Sequence, residues 1–292
     1  MLETDIEKNK EVLSTSKTIG GIILAFVIFV IAQNLAMNLS LIPLEMGVPG
    51  ALCNIILGIL YAGLVYFGAK LLCEKFFHLS LKDFRIPRIG FKAVWVITAI
   101  AMPLLVVLLS VLAGGEWKLN SFSPDVTWAV VAGAIVFYGM ATGIAEEILF
   151  RGLVMGCLEK KFGIRIAVII PSVLFGLVHM IGRKMDFWSI LQLVFAGSIV
   201  GILFSLVAYE SKSVWNSALI HGCWNMTIIG GILHIGKEAD SASIVNFIFE
   251  NKSFLLSGGD FGVEASVISI AVYLSFSVLA LIFIRKNKTF YL

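Results

Sequence analysis

The chain has 292 residues, 59% of them hydrophobic and 14% charged, with a mean hydropathy of +0.97. Soluble domains carry about 25% charged residues, so this composition excludes a chain whose main solvent is water. The net charge of +3 gives no reason to expect a nucleic-acid partner.

Residues 1–18 are polar and of mixed charge and predict a cytoplasmic N-terminal arm. The apolar run that follows is long enough to span a bilayer, so it reads as a retained helix and not as a cleaved signal peptide. Residues 19–292 read as one integral membrane domain. Its spans are predicted near 19–42, 50–73, 92–114, 126–158, 164–182, 187–208, 213–235 and 264–285. The fold class is therefore all-α, a polytopic transmembrane bundle of about eight spanning helices. Pro43 and Pro49 bracket the first turn, and Pro124 precedes the fourth helix. That helix exceeds the roughly 20 residues of a simple span, so it either projects into water or breaks in two. Pro103 and Pro171 lie inside helices, where a proline favours a kink.

The charges are placed asymmetrically. Of the 22 Lys and Arg, all but Lys118, Arg183, Lys184, Lys237 and Lys252 fall in the arm, the 2–3, 4–5 and 6–7 loops and the C-terminal tail. The positive-inside rule then puts both termini in the cytoplasm. The acidic 7–8 loop, with Glu238, Asp240, Glu250, Asp260 and Glu264, falls outside. Cys53, Cys73, Cys157 and Cys223 form no CxxC pair and read as small apolar filler. Gly197 and Gly201 form a GxxxG pair, best read as a site of close helix packing.

An ionisable group inside an apolar span costs at least about 2.5–3.5 kcal/mol at the bilayer centre, so it needs a partner or a purpose. Three clusters qualify. In the fourth span Glu146 and Glu147 sit about 100° apart around the helix. Glu147 and Arg151 are four apart and predict an ion pair. Glu146 is left without a local cation, as suits a carboxylate that takes and returns protons. In the fifth span Phe175 and His179 share a face, and Gly176 between them allows another helix to come close. In the seventh span His221 and Asn225 share a face, and both can donate hydrogen bonds. A lone histidine on an apolar helix is usually a satisfied core residue, and His–Asn pairs serve as interhelical glue. Three such clusters at comparable depth favour function. His78, in a basic loop, and His234, near a helix end, receive no role.

The set EExxxR, FxxxH and HxxxN, on successive apolar helices, resembles the CPBP family of intramembrane peptidases. That group comprises type II CAAX prenyl endopeptidases and bacteriocin-processing or self-immunity proteins, also called Abi. The resemblance covers about 126–235. It implies peptide-bond hydrolysis in a membrane-embedded cavity, with Glu146 and His179 activating water and His221 and Asn225 holding the oxyanion. Glu147, Arg151 and Phe175 would be supporting residues. Two histidines and a glutamate also match a His2Glu zinc set, so Glu146, His179 and His221 are the candidate metal ligands and zinc the candidate cofactor. Glu146 as a ligand would require another base; Glu147 is nearest, and that use competes with its pairing to Arg151, which favours a metal-free reaction. Neither HExxH nor GxSG is present, and Gly258-Gly259-Asp260 is not GxGD.

The expected substrate is a membrane-associated or lipidated peptide or protein, and the short loops favour a bacterial plasma membrane. A non-catalytic immunity or scaffold protein of the same fold is the alternative. A secondary transporter is a weaker one, since no repeated halves are visible.

Overall fold

A computed structural model describes residues 13–286. Most of the predicted arm lies outside them, and the first helix begins at Thr15. The chain forms a helical bundle from α1 (Thr15–Glu45), α2 (Gly50–Phe77), α3 (Ala93–Leu112), α4 (Pro124–Phe162), α5 (Ile164–Val178), α6 (Phe187–Ser211), α7 (Val214–Trp224) and α8 (Val267–Lys286). Six of these, all but α5 and α7, are long and apolar enough to cross a membrane.

Helix ends follow local chemistry. Ser14, Ser123, Asp186 and Ser213 cap α1, α4, α6 and α7, each side chain accepting a first-turn backbone N–H. Pro124 takes the first position of α4, where no N–H is required. Gly163, with φ +80°, separates α4 from α5 in a conformation that a side chain would strain. Pro43 does not end α1; it lies inside a helix that runs on to Glu45.

The long fourth helix does not break. It changes gauge instead, with π-helical stretches at Gly133–Ala141 and Ile148–Val154 around the α-helical Thr142–Glu147. Such wide turns often mark functional sites, and these flank Glu146. Two further wide stretches lie elsewhere: Leu72–Phe77 ends α2, and Asn225–Ile229 continues α7.

The expected seventh span, 213–235, is shorter than its apolar run. After Gly231, with φ +82°, the chain enters a strand. A three-stranded sheet of order β1-β3-β2 joins Gly115–Leu119, Val245–Phe249 and Leu233–Gly236. Its centre is Phe247, opposite Trp117 on antiparallel β1 and Ile235 on parallel β2. This sheet ties the 3–4 loop to the 7–8 loop, so both lie at one end of the bundle. At the opposite end Glu210 accepts from Lys92 Nζ at 2.7 Å and Trp95 Nε1 at 2.8 Å, fastening α6 to α3.

Glycines set the closest helix crossings. A Cβ on Gly143 of α4 would come within 2.9 Å of the Gly222 backbone nitrogen in α7. A Cβ on Gly197 of α6 would come within 2.7 Å of Gly176 Cα in α5, and one on Gly201 within 2.8 Å of Ser172 Cα. The GxxxG pair thus serves close packing, and Gly176 admits a neighbouring helix as expected. The four cysteines are free thiols, three of them buried.

Candidate active site

The Gly143–Gly222 contact brings the EExxxR segment against the HxxxN segment. Glu147 and Arg151 are fully buried and paired, with Arg151 Nη1 3.0 Å from Glu147 Oε1. Arg151 Nη2 also donates to the Gly201 carbonyl at 3.1 Å, a bond that the α5–α6 glycine crossing brings within reach. The guanidinium lies over Phe175, 4.6 Å from its centroid, and over Phe204 at 5.2 Å. Two charges in an apolar interior are thus held by a partner, a carbonyl and ring faces.

Glu147 does more than neutralise Arg151. Its Oε1 is also 3.1 Å from His221 Nδ1. An ionised carboxylate only accepts hydrogen bonds, so Nδ1 is assigned the proton and Nε2 faces the cavity. The imidazole is stacked on Phe204, with centroids 4.8 Å apart and planes 19° from parallel. Glu147, Arg151 and Phe204 thereby fix both the tautomer and the tilt of His221.

His179 is fixed by the same logic. Its Nδ1 is 2.7 Å from the Phe175 carbonyl oxygen, an acceptor, which again leaves Nε2 for the cavity. Phe175 therefore sits at the centre of the constellation, under Arg151 and beside both histidines, with centroids 4.6 Å from His179 and 5.6 Å from His221. Asn225 is buried, and its Nδ2 donates to the Tyr138 carbonyl at 3.0 Å. Its Oδ1 is buried without a partner.

Glu146 occupies the focus. Its Oε2 is buried and has no hydrogen-bond partner. The nearest cationic candidate, His221 Nε2, is 3.8 Å away, too far for a direct bond. A buried carboxylate oxygen with nothing to accept is costly in a stable fold and useful in a reactive one.

Glu146, His179, His221 and Asn225 line one cavity of about 320 Å³. Glu147 and Arg151 stand behind it, buried, and do not line it. The wall also includes Gln33, Trp224, Arg183, Phe261 and Glu264, none of which the sequence singled out for the site. Arg183 lies over the Phe261 ring at 4.8 Å, on the same end of the bundle as the sheet. Glu264 looked like one acid among several in a polar loop. Trp224, inside the HxxxN segment, was the one available signal, because a buried indole N–H needs an acceptor. Among the described residues no group of three His, Cys, Asp or Glu side chains is placed to hold a metal ion, and that includes Glu146, His179 and His221.

Residues 126–227 match the family described as Type II CAAX prenyl endopeptidase Rce1-like, in agreement with the resemblance carried by the three motifs. No curated protein and no solved structure matches the chain.

Proposed function

We propose that this chain is an intramembrane endopeptidase that hydrolyses a peptide bond of a membrane-associated or lipidated protein or peptide. The reading rests on one observation above the rest: Glu146, with an unpartnered buried oxygen, shares a cavity within an apolar helical bundle with two histidines and an asparagine. The Rce1-like match over 126–227 spans the segments that carry all four.

In this reading Glu146 takes a proton from water, and His179 Nε2, its other nitrogen committed to Phe175, orients that water. The hydroxide oxygen attacks the scissile carbonyl carbon. With a second proton on Nε2, beside the one that Glu147 holds on Nδ1, His221 is an imidazolium, and it donates together with Asn225 Nδ2 to the oxygen on which charge develops. Glu147 stabilises the imidazolium through Nδ1, and Arg151 offsets the charge of Glu147. Donors fixed beforehand in a dry cavity are worth a few kcal/mol each to such a transition state. The steps of this reading use only the chain's own side chains and water.

The test compares membrane peptides from cells carrying wild-type, Glu146→Gln and His179→Ala protein. Both variants accumulate in the membrane like wild type, and uncleaved substrate builds up because turnover falls by about 10²–10⁴-fold. A peptide profile unchanged in both variants would refute the assignment. A biological effect retained with Glu146→Gln would instead support the binding or immunity alternative.

A further inference from the structure

Glu264 is the second carboxylate of the cavity, and the fold holds it with unusual care. It lies in a short 3-10 turn, Val263–Ala265, just before α8. Three side chains donate to the three consecutive carbonyls of that turn: Ser269 Oγ to Val263 at 2.6 Å, Tyr273 Oη to Glu264 at 3.1 Å, and Gln192 Nε2 to Ala265 at 2.8 Å. The carboxylate is itself anchored, since Trp224 Nε1 donates to Oε2 at 3.1 Å. Trp224 is in turn packed edge-on against Tyr273, with centroids 5.1 Å apart. Among the described residues Oε1 has no protein partner, and Glu264 lines the same cavity as Glu146. A merely structural acid would not require every backbone oxygen around it to be pinned.

We propose that Glu264 is the general acid that protonates the leaving nitrogen. This rests on Glu146 being the base. A single carboxylate that has just taken the proton of water would have to carry it across the tetrahedral intermediate. Two carboxylates on different walls divide the work. Glu146 accepts the water proton as the C–O bond forms and the carbonyl electron pair moves to oxygen. As that pair returns, the C–N bond breaks, and the leaving nitrogen takes the proton of the Glu264 carboxyl. The proton on Glu146 then returns through bulk water to Glu264, so no net charge is left. Burial raises the Glu264 carboxyl above its ordinary range, against the lowering by the Trp224 hydrogen bond and by His179, Arg183 and His221, which face it. A shift in this direction favours the protonated form, the form that a general acid needs.

The test exploits leaving-group chemistry. The probes are a fluorogenic peptide amide, selected from a library for cleavage by wild-type protein over protein-free liposomes, and the p-nitrophenyl ester of the same acyl half. An amine leaves only if protonated, whereas p-nitrophenolate leaves without a proton. Glu264→Gln, which still accepts from Trp224, slows the amide about 100-fold and the ester less than about threefold. Trp224→Phe, which frees Oε2, moves the amide-to-ester ratio the same way. Equal slowing of both substrates, or of neither, by Glu264→Gln overturns the proposal. Glu146→Gln slows both substrates, since both need attacking water. If it slows neither, the base assignment falls, while the Glu264 ratio is still read on its own.

Discussion

Arg151 and Glu147 would be an odd pair to bury for stability alone. Two fully buried charges replaced together by apolar or neutral groups of similar volume often leave a protein as stable as before, while removing one partner strands the other at a cost of about 3–5 kcal/mol. Their retention makes more sense if the carboxylate is needed where it is, against His221 Nδ1. Arg151→Ala therefore lowers the thermal midpoint in detergent sharply. The double variant Glu147→Gln with Arg151→Met recovers most of that loss but remains poorly active, because an amide does not hold His221 as a carboxylate does. A double variant with wild-type turnover would show that Glu147 has no part in orienting His221. The ion pair was legible in the sequence, because residues four apart on a helix face each other. The Glu147–His221 bond was not, since the partners are 74 residues apart and only the helix crossing brings them together. Glu264 was hidden for the same reason: five acids in one loop look alike until the turn at Val263–Ala265 aims one of them inward.

The helices meet where they lack side chains. At the α4–α7 crossing the atoms that a Gly143 side chain would strike are backbone: Gly222 N at 2.9 Å and the Ala218 carbonyl at 3.0 Å. Backbone cannot swing aside, so Gly143→Val pushes α7 away from α4, costing about 1–3 kcal/mol by overpacking. It also parts Glu146 and Glu147 from His221, so cleavage falls further than stability does. Gly63→Val is the matched control, because nothing lies within 4 Å of a Cβ there. Equal activity in the two variants, measured at a temperature where both are folded, would show that the crossing does not set the site. Helix existence was readable throughout, because long apolar runs have few alternatives in a bilayer. Helix gauge was not: the wide turns around Glu146 have no simple signature in residue pattern. The end of α7 was misread because the apolar run Ile228–Ile235 suits a helix or a buried strand equally. Gly230 and Gly231 were the punctuation that decided it.

At the scale of the whole molecule, the sheet settles which loops share an end. β1 belongs to the 3–4 loop, and β2 and β3 to the 7–8 loop. Arg183 and Phe261 line the cavity at this end, in the loops that follow α5 and precede α8, and Arg183 is exposed, which marks a mouth there. Lys82, Arg85, Arg88, Lys160, Lys161, Arg165 and Lys212 lie in the turns of the other end or at the helix termini beside them. Basic residues flanking spans favour the cytoplasm, so we propose that the sheet and the cavity mouth face away from it. A substrate would then reach Glu146 from the outer side, past Arg183. Cysteine labelling in intact cells reads this directly. In a background with Cys53, Cys73, Cys157 and Cys223 replaced by alanine, an impermeant maleimide labels Lys118→Cys and Arg183→Cys at once. Lys82→Cys reacts only after the membrane is opened. The reverse pattern would turn the mouth towards the cytoplasm, and the substrate would have to be sought among proteins anchored to the inner leaflet. Labelling of Lys118→Cys and Arg183→Cys from opposite sides would contradict the shared end itself, and with it the route by which the cavity is reached.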